Sequence, residues 1–169
     1  MIKQFYPQEY LDSTYDIDFE KRYAEGKRGI IFDVDNTLVP HGMPADERAL
    51  ALFERLQKIG YQTVLLSNNK EPRVKSFAQQ VNSLYIYKAG KPGKAGYEKA
   101  LSLMNITSRQ AIFIGDQIFT DVWGAKRCGI DNILVKPIHP KEEIQIVLKR
   151  YLEKIILFFY EKEQKNHRK

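Results

Sequence analysis

The feature that most constrains this chain is an alternation. Short apolar runs with strand character are separated, again and again, by stretches with helical spacing. Gly29-Ile30-Ile31-Phe32 is a continuous apolar run preceded by charge, as expected of a central strand buried on both faces. Residues 45–59 then carry Ala49, Leu52, Phe53, Leu56 and Ile59, one face of a helix that Gly60 stops. The pattern continues with Thr63-Val64-Leu65-Leu66, a helix over 72–81, Leu84-Tyr85-Ile86-Tyr87 and a helix over 95–104. Ala111-Ile112-Phe113-Ile114, a helix over 120–128 closed by Gly129, and Asn132-Ile133-Leu134-Val135 complete it. This order predicts an α/β fold with a mostly parallel central sheet and helices on both faces. In such sheets ligands bind beyond the carboxyl ends of the strands.

The 169 residues suit a single domain over 1–169, with its core motifs in 29–135. A C-terminal amphipathic helix is expected over 140–160, followed by a frayed polar tail over 161–169. Ile144, Leu148, Tyr151, Leu152, Ile155, Phe158 and Phe159 form its apolar stripe, expected to pack on the sheet or on a second subunit. Ile146, Ile156, Leu157 and Tyr160 make the stripe wider than one core face needs, which hints at a homodimer. Trp123 and Cys128 are expected in the core. The single cysteine, Cys128, excludes an internal disulfide and fits a reducing cytosol. No apolar run reaches the roughly 18–20 residues that span a bilayer, and no signal core follows Met1-Ile2-Lys3-Gln4. A cytoplasmic location is expected, with contact at the inner membrane face as an open addition. Lys and Arg number 27 against 21 Asp and Glu, a net charge of +6, so anionic partners are favoured. No helix shows a basic face with base-stacking aromatics, so nucleic acid is not expected.

The polar residues of interest fall at the predicted strand ends. Asp33-Val34-Asp35-Asn36-Thr37 follows the first strand, and two carboxylates at that spacing can share a cation or divide nucleophile and acid roles. Ser67 and Asn68 end the second strand, with hydroxyl, amide and backbone N–H groups that can grip a phosphate. Lys91-Pro92 follows the third, and Gly115-Asp116-Gln117-Ile118-Phe119-Thr120-Asp121 the fourth. Singly these are ordinary turn and cap chemistry. Together they supply an anionic nucleophile, a cation and acids for a metal, the set phosphoryl transfer needs.

The ordered set D-V-D-N-T, S-N-N, K-P and G-D-Q-I-F-T-D resembles the four motifs of the haloacid dehalogenase (HAD) superfamily of phosphatases. It is most similar to subfamily IIIA, the YqeG-like phosphatases, and the mitochondrial phosphatidylglycerophosphate phosphatase of HAD type is a similar relative. The resemblance implies a three-layer Rossmann-like fold and Mg²⁺ as cofactor. It implies Asp33 as nucleophile, and Asp35 as general acid and then base. Thr37 would orient the catalytic loop, while Ser67 and the Asn68 backbone would hold phosphoryl oxygens. Lys91 would neutralise the transferring group. Asp116 would bind Mg²⁺ together with Asp33 and the Asp35 carbonyl, and Asp121 would position Lys91 or the metal's water shell. Asp35 is expected to have a raised pKa, because negative charge surrounds it.

The stretches from Leu38 to Leu66 and from Asn69 to Gly90 each hold only a helix and a strand. Neither has room for a cap domain, so the site should be open. The substrate readings are a soluble phosphomonoester, a phospholipid at a membrane surface, or a phosphorylated macromolecule. The opposing class is a non-catalytic phospho-ligand or signalling module. Receiver domains, however, carry the phosphorylated Asp after the third strand, where Lys88 follows Tyr87 here.

Overall fold

The computed structural model describes residues 2–139 and 144–167. Its strands are β1 (Glu9–Leu11), β2 (Gly29–Phe32), β3 (Gln62–Leu66), β4 (Leu84–Ile86), β5 (Ala111–Gly115) and β6 (Asp131–Val135). They form one sheet in the order β1-β6-β5-β2-β3-β4, and every pairing is parallel. The strand that sequence reasoning missed is β1, three half-buried residues at the sheet edge, too short and polar to show an apolar run.

Side chains alternate across the sheet as the pleat dictates. Ile30, Phe32 and Leu65 face Phe53 and Leu56 of α2 (Glu47–Ile59) and Phe77 of α3 (Glu71–Val81). Ile31, Val64, Leu66 and Phe113 face Tyr97 and Met104 of α4 (Lys94–Met104) and Ala125 of α5 (Trp123–Arg127). The three-layer α/β arrangement is therefore as expected, and no cap domain interrupts the described residues. Local chemistry sets the helix ends. Asp46 accepts from the Ala49 N–H to start α2, and Gly60 ends it at φ 114°, a conformation that costs a residue with Cβ. Trp123 and Cys128, expected in the core, are only half-buried.

From β2 the chain builds outward through β3 and β4, then crosses to β5 and β6 on the other side. The reversal leaves a crevice at the carboxyl end of β2, where open α/β sheets bind ligands.

The C-terminal helix α6 runs Ile144–His167, so residues 161–167 are helical rather than a frayed tail. The expected positions 140–143 and 168–169 lie outside the described residues. Its orientation overturns one of the two expected packings, that of the stripe on the sheet, and does not bear on a second subunit. Ile156, Tyr160 and Glu153 are buried, with Ile156 and Leu157 packed on Ile118, Val122 and Leu134. Of the predicted packing stripe, Leu148, Tyr151, Leu152, Ile155, Phe158 and Phe159 are exposed, and the Ile144 side chain lies outside what is described. Ile156, Leu157 and Tyr160, read as surplus, are the core side, because α6 seats against aromatics of the N-terminal segment such as Tyr6, whose ring meets Tyr160 edge-on at 5.5 Å; Ile146, read with them, is half-buried.

The two faces of α6 should respond differently to truncation. Ile156→Ala, at 6% exposure, should cost about 2 kcal/mol or more in urea unfolding. Leu148→Ala, at 66% exposure, should stay within about 0.5 kcal/mol. Equal costs would contradict the orientation of the helix.

Candidate active site

Asp33 leaves β2 directly into the crevice, its backbone N–H still bonded to the Ile114 carbonyl of β5. The turn that follows is tight. Asn36 adopts φ 62°, and its N–H bonds the Val39 carbonyl at 2.7 Å. The N-terminal segment props this turn from behind. Thr14 Oγ1 donates to the Thr37 carbonyl at 2.9 Å, and the Tyr15 hydroxyl donates to that of Leu38 at 2.7 Å.

Lys91 sits at the centre, buried, and its Nζ donates to Asp33 Oδ1 and to Asp121 Oδ1, both at 2.7 Å. Burial alone would lower the Lys91 pKa, but Asp121 and Asp33 outweigh it and hold the ammonium charged. Asn68 fixes the Lys91 backbone from both sides: its Oδ1 accepts from the Lys91 N–H at 2.8 Å, and its Nδ2 donates to the Lys91 carbonyl at 3.1 Å. Ser67 is buried, and its Oγ accepts from the Asn69 N–H. Thr37 Oγ1 lies 3.2 Å from Asp33 Oδ2 and 3.0 Å from Asp116 Oδ1, tying the acids of two strands together. Asp121 closes the far side, where its Oδ2 accepts from the N–H groups of Asp116 and Gln117. The structure thus brings Asp33, Asp35, Thr37, Ser67, Asn68, Lys91, Asp116 and Asp121 to one end of the sheet.

Oxygens of Asp33, Asp116 and Asp121 lie within 4.8 Å of one another. Two oxygens on opposite sides of one Mg²⁺ sit about 4.2 Å apart, so this spacing is compatible with a shared ion. The charge balance points the same way. Burial, with Asp121 and Asp116 close by, raises Asp33 well above the usual carboxylate range despite Lys91. Burial and Asp121 raise Asp116 to about 6. Asp33, Asp116, Asp121 and Glu153 are matched in direct ion pairs by Lys91 and Arg150. The two-charge excess of acid is the charge of one divalent cation, and the donor set is the hard oxygen kind that Mg²⁺ prefers.

Asp35 corrects an expectation. Burial pushes its pKa up, but the Gly42 N–H and the Arg73 guanidinium, each 2.8 Å from Oδ1, outweigh this and hold it below the usual value. Asn69 Nδ2 adds a longer contact to Oδ2 at 3.3 Å. Sequence reasoning missed Arg73 and Asn69. It also missed Arg150 and Glu153 on α6. Arg150 donates to the Asp116 carbonyl and to Asp116 Oδ2, each at 2.5 Å, while Glu153 accepts from the Ile118 N–H at 2.7 Å. Charged residues on a helix usually face water, so their spacing gave no sign of this role.

A family model described as haloacid dehalogenase-like hydrolase matches residues 43–129. The chain is 36% identical over 159 residues to a protein named probable phosphatase YqeG, from Bacillus subtilis (strain 168), covering 93% of this chain and 92% of that protein. It is 27% identical over 164 residues to an Arabidopsis thaliana protein named phosphatidylglycerophosphate phosphatase 1, chloroplastic/mitochondrial, covering 82% of this chain and 45% of that one. Among solved structures, the cobalt-bound deoxy-D-mannose-octulosonate 8-phosphate phosphatase of Haemophilus influenzae shares the fold, with a TM-score of 0.55 at 17% identity over 80% of this chain and 90% of that one.

Two outcomes follow from the packing and charge of the cluster. A methyl group at position 115 would overlap the Asp121 carboxylate, which Lys91 and two N–H groups prevent from yielding. Gly115→Ala should therefore destabilise the protein by about 1–3 kcal/mol in chemical denaturation. The Asp116 carboxyl binds a proton more tightly folded than unfolded, where its pKa is 3.8. Its contribution to stability therefore falls as pH rises from 3.8 through about 6, and the loss is complete above that. A divalent cation held by Asp116 would relieve that loss, so it should raise the melting temperature more at pH 7 than at pH 5. An equal rise at both values would contradict this assignment.

Proposed function

The chain belongs to the haloacid dehalogenase-like hydrolases, in their YqeG-like branch, and on that premise we propose that this phosphatase hydrolyses a phosphomonoester through an aspartyl-phosphate on Asp33, with Mg²⁺ as cofactor. The observation that carries the reading is Lys91, buried between Asp33 and Asp121, with Asp116 close enough to share a cation with Asp33. An Asp carboxylate attacking a phosphate dianion meets like-charge repulsion, and fixed positive charge at the point of attack offsets it.

In the first half-reaction an Asp33 oxygen bonds to phosphorus as the ester oxygen leaves with a proton from Asp35. In the second, Asp35 takes a proton from water, the water oxygen bonds to phosphorus, and inorganic phosphate departs, restoring the Asp33 carboxylate. Arg73 and Gly42 keep Asp35 ionised at rest, which suits the second half. The approach of an anionic substrate raises its proton affinity for the first. Lys91 balances charge on Asp33 throughout, and Thr37 holds Asp33 and Asp116 in register. Ser67 and the Asn68 backbone hold the phosphoryl oxygens, while the Asn68 side chain keeps Lys91 in place. Asp33, Asp116 and the Asp35 carbonyl would hold Mg²⁺, which would supply the remaining positive charge that phosphoryl transfer requires.

A phospholipid substrate is the second reading. The relative named a phosphatidylglycerophosphate phosphatase supports it, as does an apolar-walled groove that reaches Asp116. This chain spans 45% of that relative's length.

Asp33→Asn, nearly isosteric, should abolish Mg²⁺-dependent turnover of p-nitrophenyl phosphate while circular dichroism stays unchanged. Lys91→Ala should lower kcat by about 10²–10³-fold. Absence of turnover by the parent protein across phosphomonoesters, with Mg²⁺ present, would instead favour a phospho-ligand-binding module. Hydrolysis of phosphatidylglycerophosphate, measured beside soluble esters, separates the two substrate readings.

A further inference from the structure

The described part of α6 carries two apolar faces, of which the fold uses one. The other presents Leu148, Tyr151, Leu152, Ile155, Phe158 and Phe159 to solvent, with Phe158 at 62% exposure. Large apolar side chains gathered on one face are not the scattered exposure normal for a protein surface. We propose that this outer face of α6 is a docking surface for an anionic lipid bilayer, on which the helix lies flat.

Charge selects the occupant. Lys149, Lys154, Lys162 and Lys165 are exposed along the same helix, against Glu161 as its exposed acid. Glu163 is paired with Lys3. The Lys154 ammonium lies 5.4 Å from the centre of the Tyr151 ring, an apolar stem beside the stripe with a charged head at its border. A second copy of the chain would bring the same lysines against one another, whereas anionic headgroups complement them. The rise of 1.5 Å per residue makes the stretch from Leu148 to Phe159 about 17 Å long, enough to lie in an interface but not to cross it. No described helix is long and apolar enough to cross a membrane.

The surface adjoins a groove that reaches Asp116 of the candidate site. This groove of about 410 Å³ reaches from Asp116 between the end of β6 and α6, walled by Leu134, Val135, Pro137, Val147 and Tyr151. Tyr151 belongs to the outer stripe as well, and the neighbouring Arg150 bonds Asp116. Docking would therefore place the groove mouth at the lipid surface. The inference rests on the lipid reading for its class of partner, but it is tested by binding rather than by turnover.

The test is sedimentation of the full chain with vesicles of phosphatidylglycerol mixed with phosphatidylcholine, and with vesicles of phosphatidylcholine alone. Binding should favour the anionic vesicles and weaken with salt. The double variant Leu148→Gln/Phe158→Gln should weaken it about tenfold or more, with p-nitrophenyl phosphate turnover unchanged. Lys149→Gln/Lys154→Gln/Lys162→Gln, which leaves the apolar stripe intact, should reduce the preference for anionic vesicles and guards against a folding defect in the first variant. Failure of the parent protein to bind anionic vesicles overturns the proposal. So does light scattering that shows a dimer dissolved by Leu148→Gln/Phe158→Gln, since the face is then covered by a second copy. Vesicle binding without phosphatase turnover would leave the docking surface standing and refute the catalytic reading.

Discussion

One buried ammonium organises this protein's working end. Lys91 reaches Asp33 at the end of β2 and Asp121 beyond β5, so a single side chain joins segments from three parts of the chain. Taking these charges out of water is costly, and such clusters are seldom the cheapest way to stabilise a fold. What the cluster provides is position. Lys91 holds Asp33 by one oxygen, Thr37 holds the other, and Asn68 fixes the Lys91 backbone through two hydrogen bonds. Each group is held by a neighbour that is itself held, which is the preorganisation that charge stabilisation in a transition state demands.

The cluster also explains why α6 matters beyond its packing. Arg150 binds Asp116 through both its carbonyl and its carboxylate, and Glu153 anchors Arg150 while accepting from the Ile118 N–H. The helix thus completes the polar network of the loop after β5. Its inner side is part of the site's support, and its outer side faces solvent with a different chemistry. A single element joins a charge network to an apolar surface.

The acids were legible because they sit next to strong strands. Asp33 directly follows a fully buried apolar run, and Asp116 follows Gly115 at the end of another, so the strand pattern located them. The partners that tune them were not legible. Arg73 on α3 and Arg150 on α6 look like solvated helix charges in the sequence, and Thr14 and Tyr15 look like part of an irregular leader. Their effect is large enough to change sign: Arg73 and Gly42 hold Asp35 low where nearby negative charge alone suggested a raised value. The acidic context near Asp35 could be read along the chain, but its compensating cation comes from another helix.

The alternation of apolar runs with helical spacing determined the α/β architecture and the end of the sheet that carries chemistry, because burial on both faces and a right-handed crossover leave few other arrangements. Periodicity also determined that the last helix has apolar faces. Only the tertiary structure decided which of them turns inward. A helical repeat records how side chains are spaced around an axis, not how that axis is rotated against the rest of the molecule. That rotation was set by Ile156 and Tyr160 meeting the N-terminal aromatics, and by Arg150 reaching Asp116.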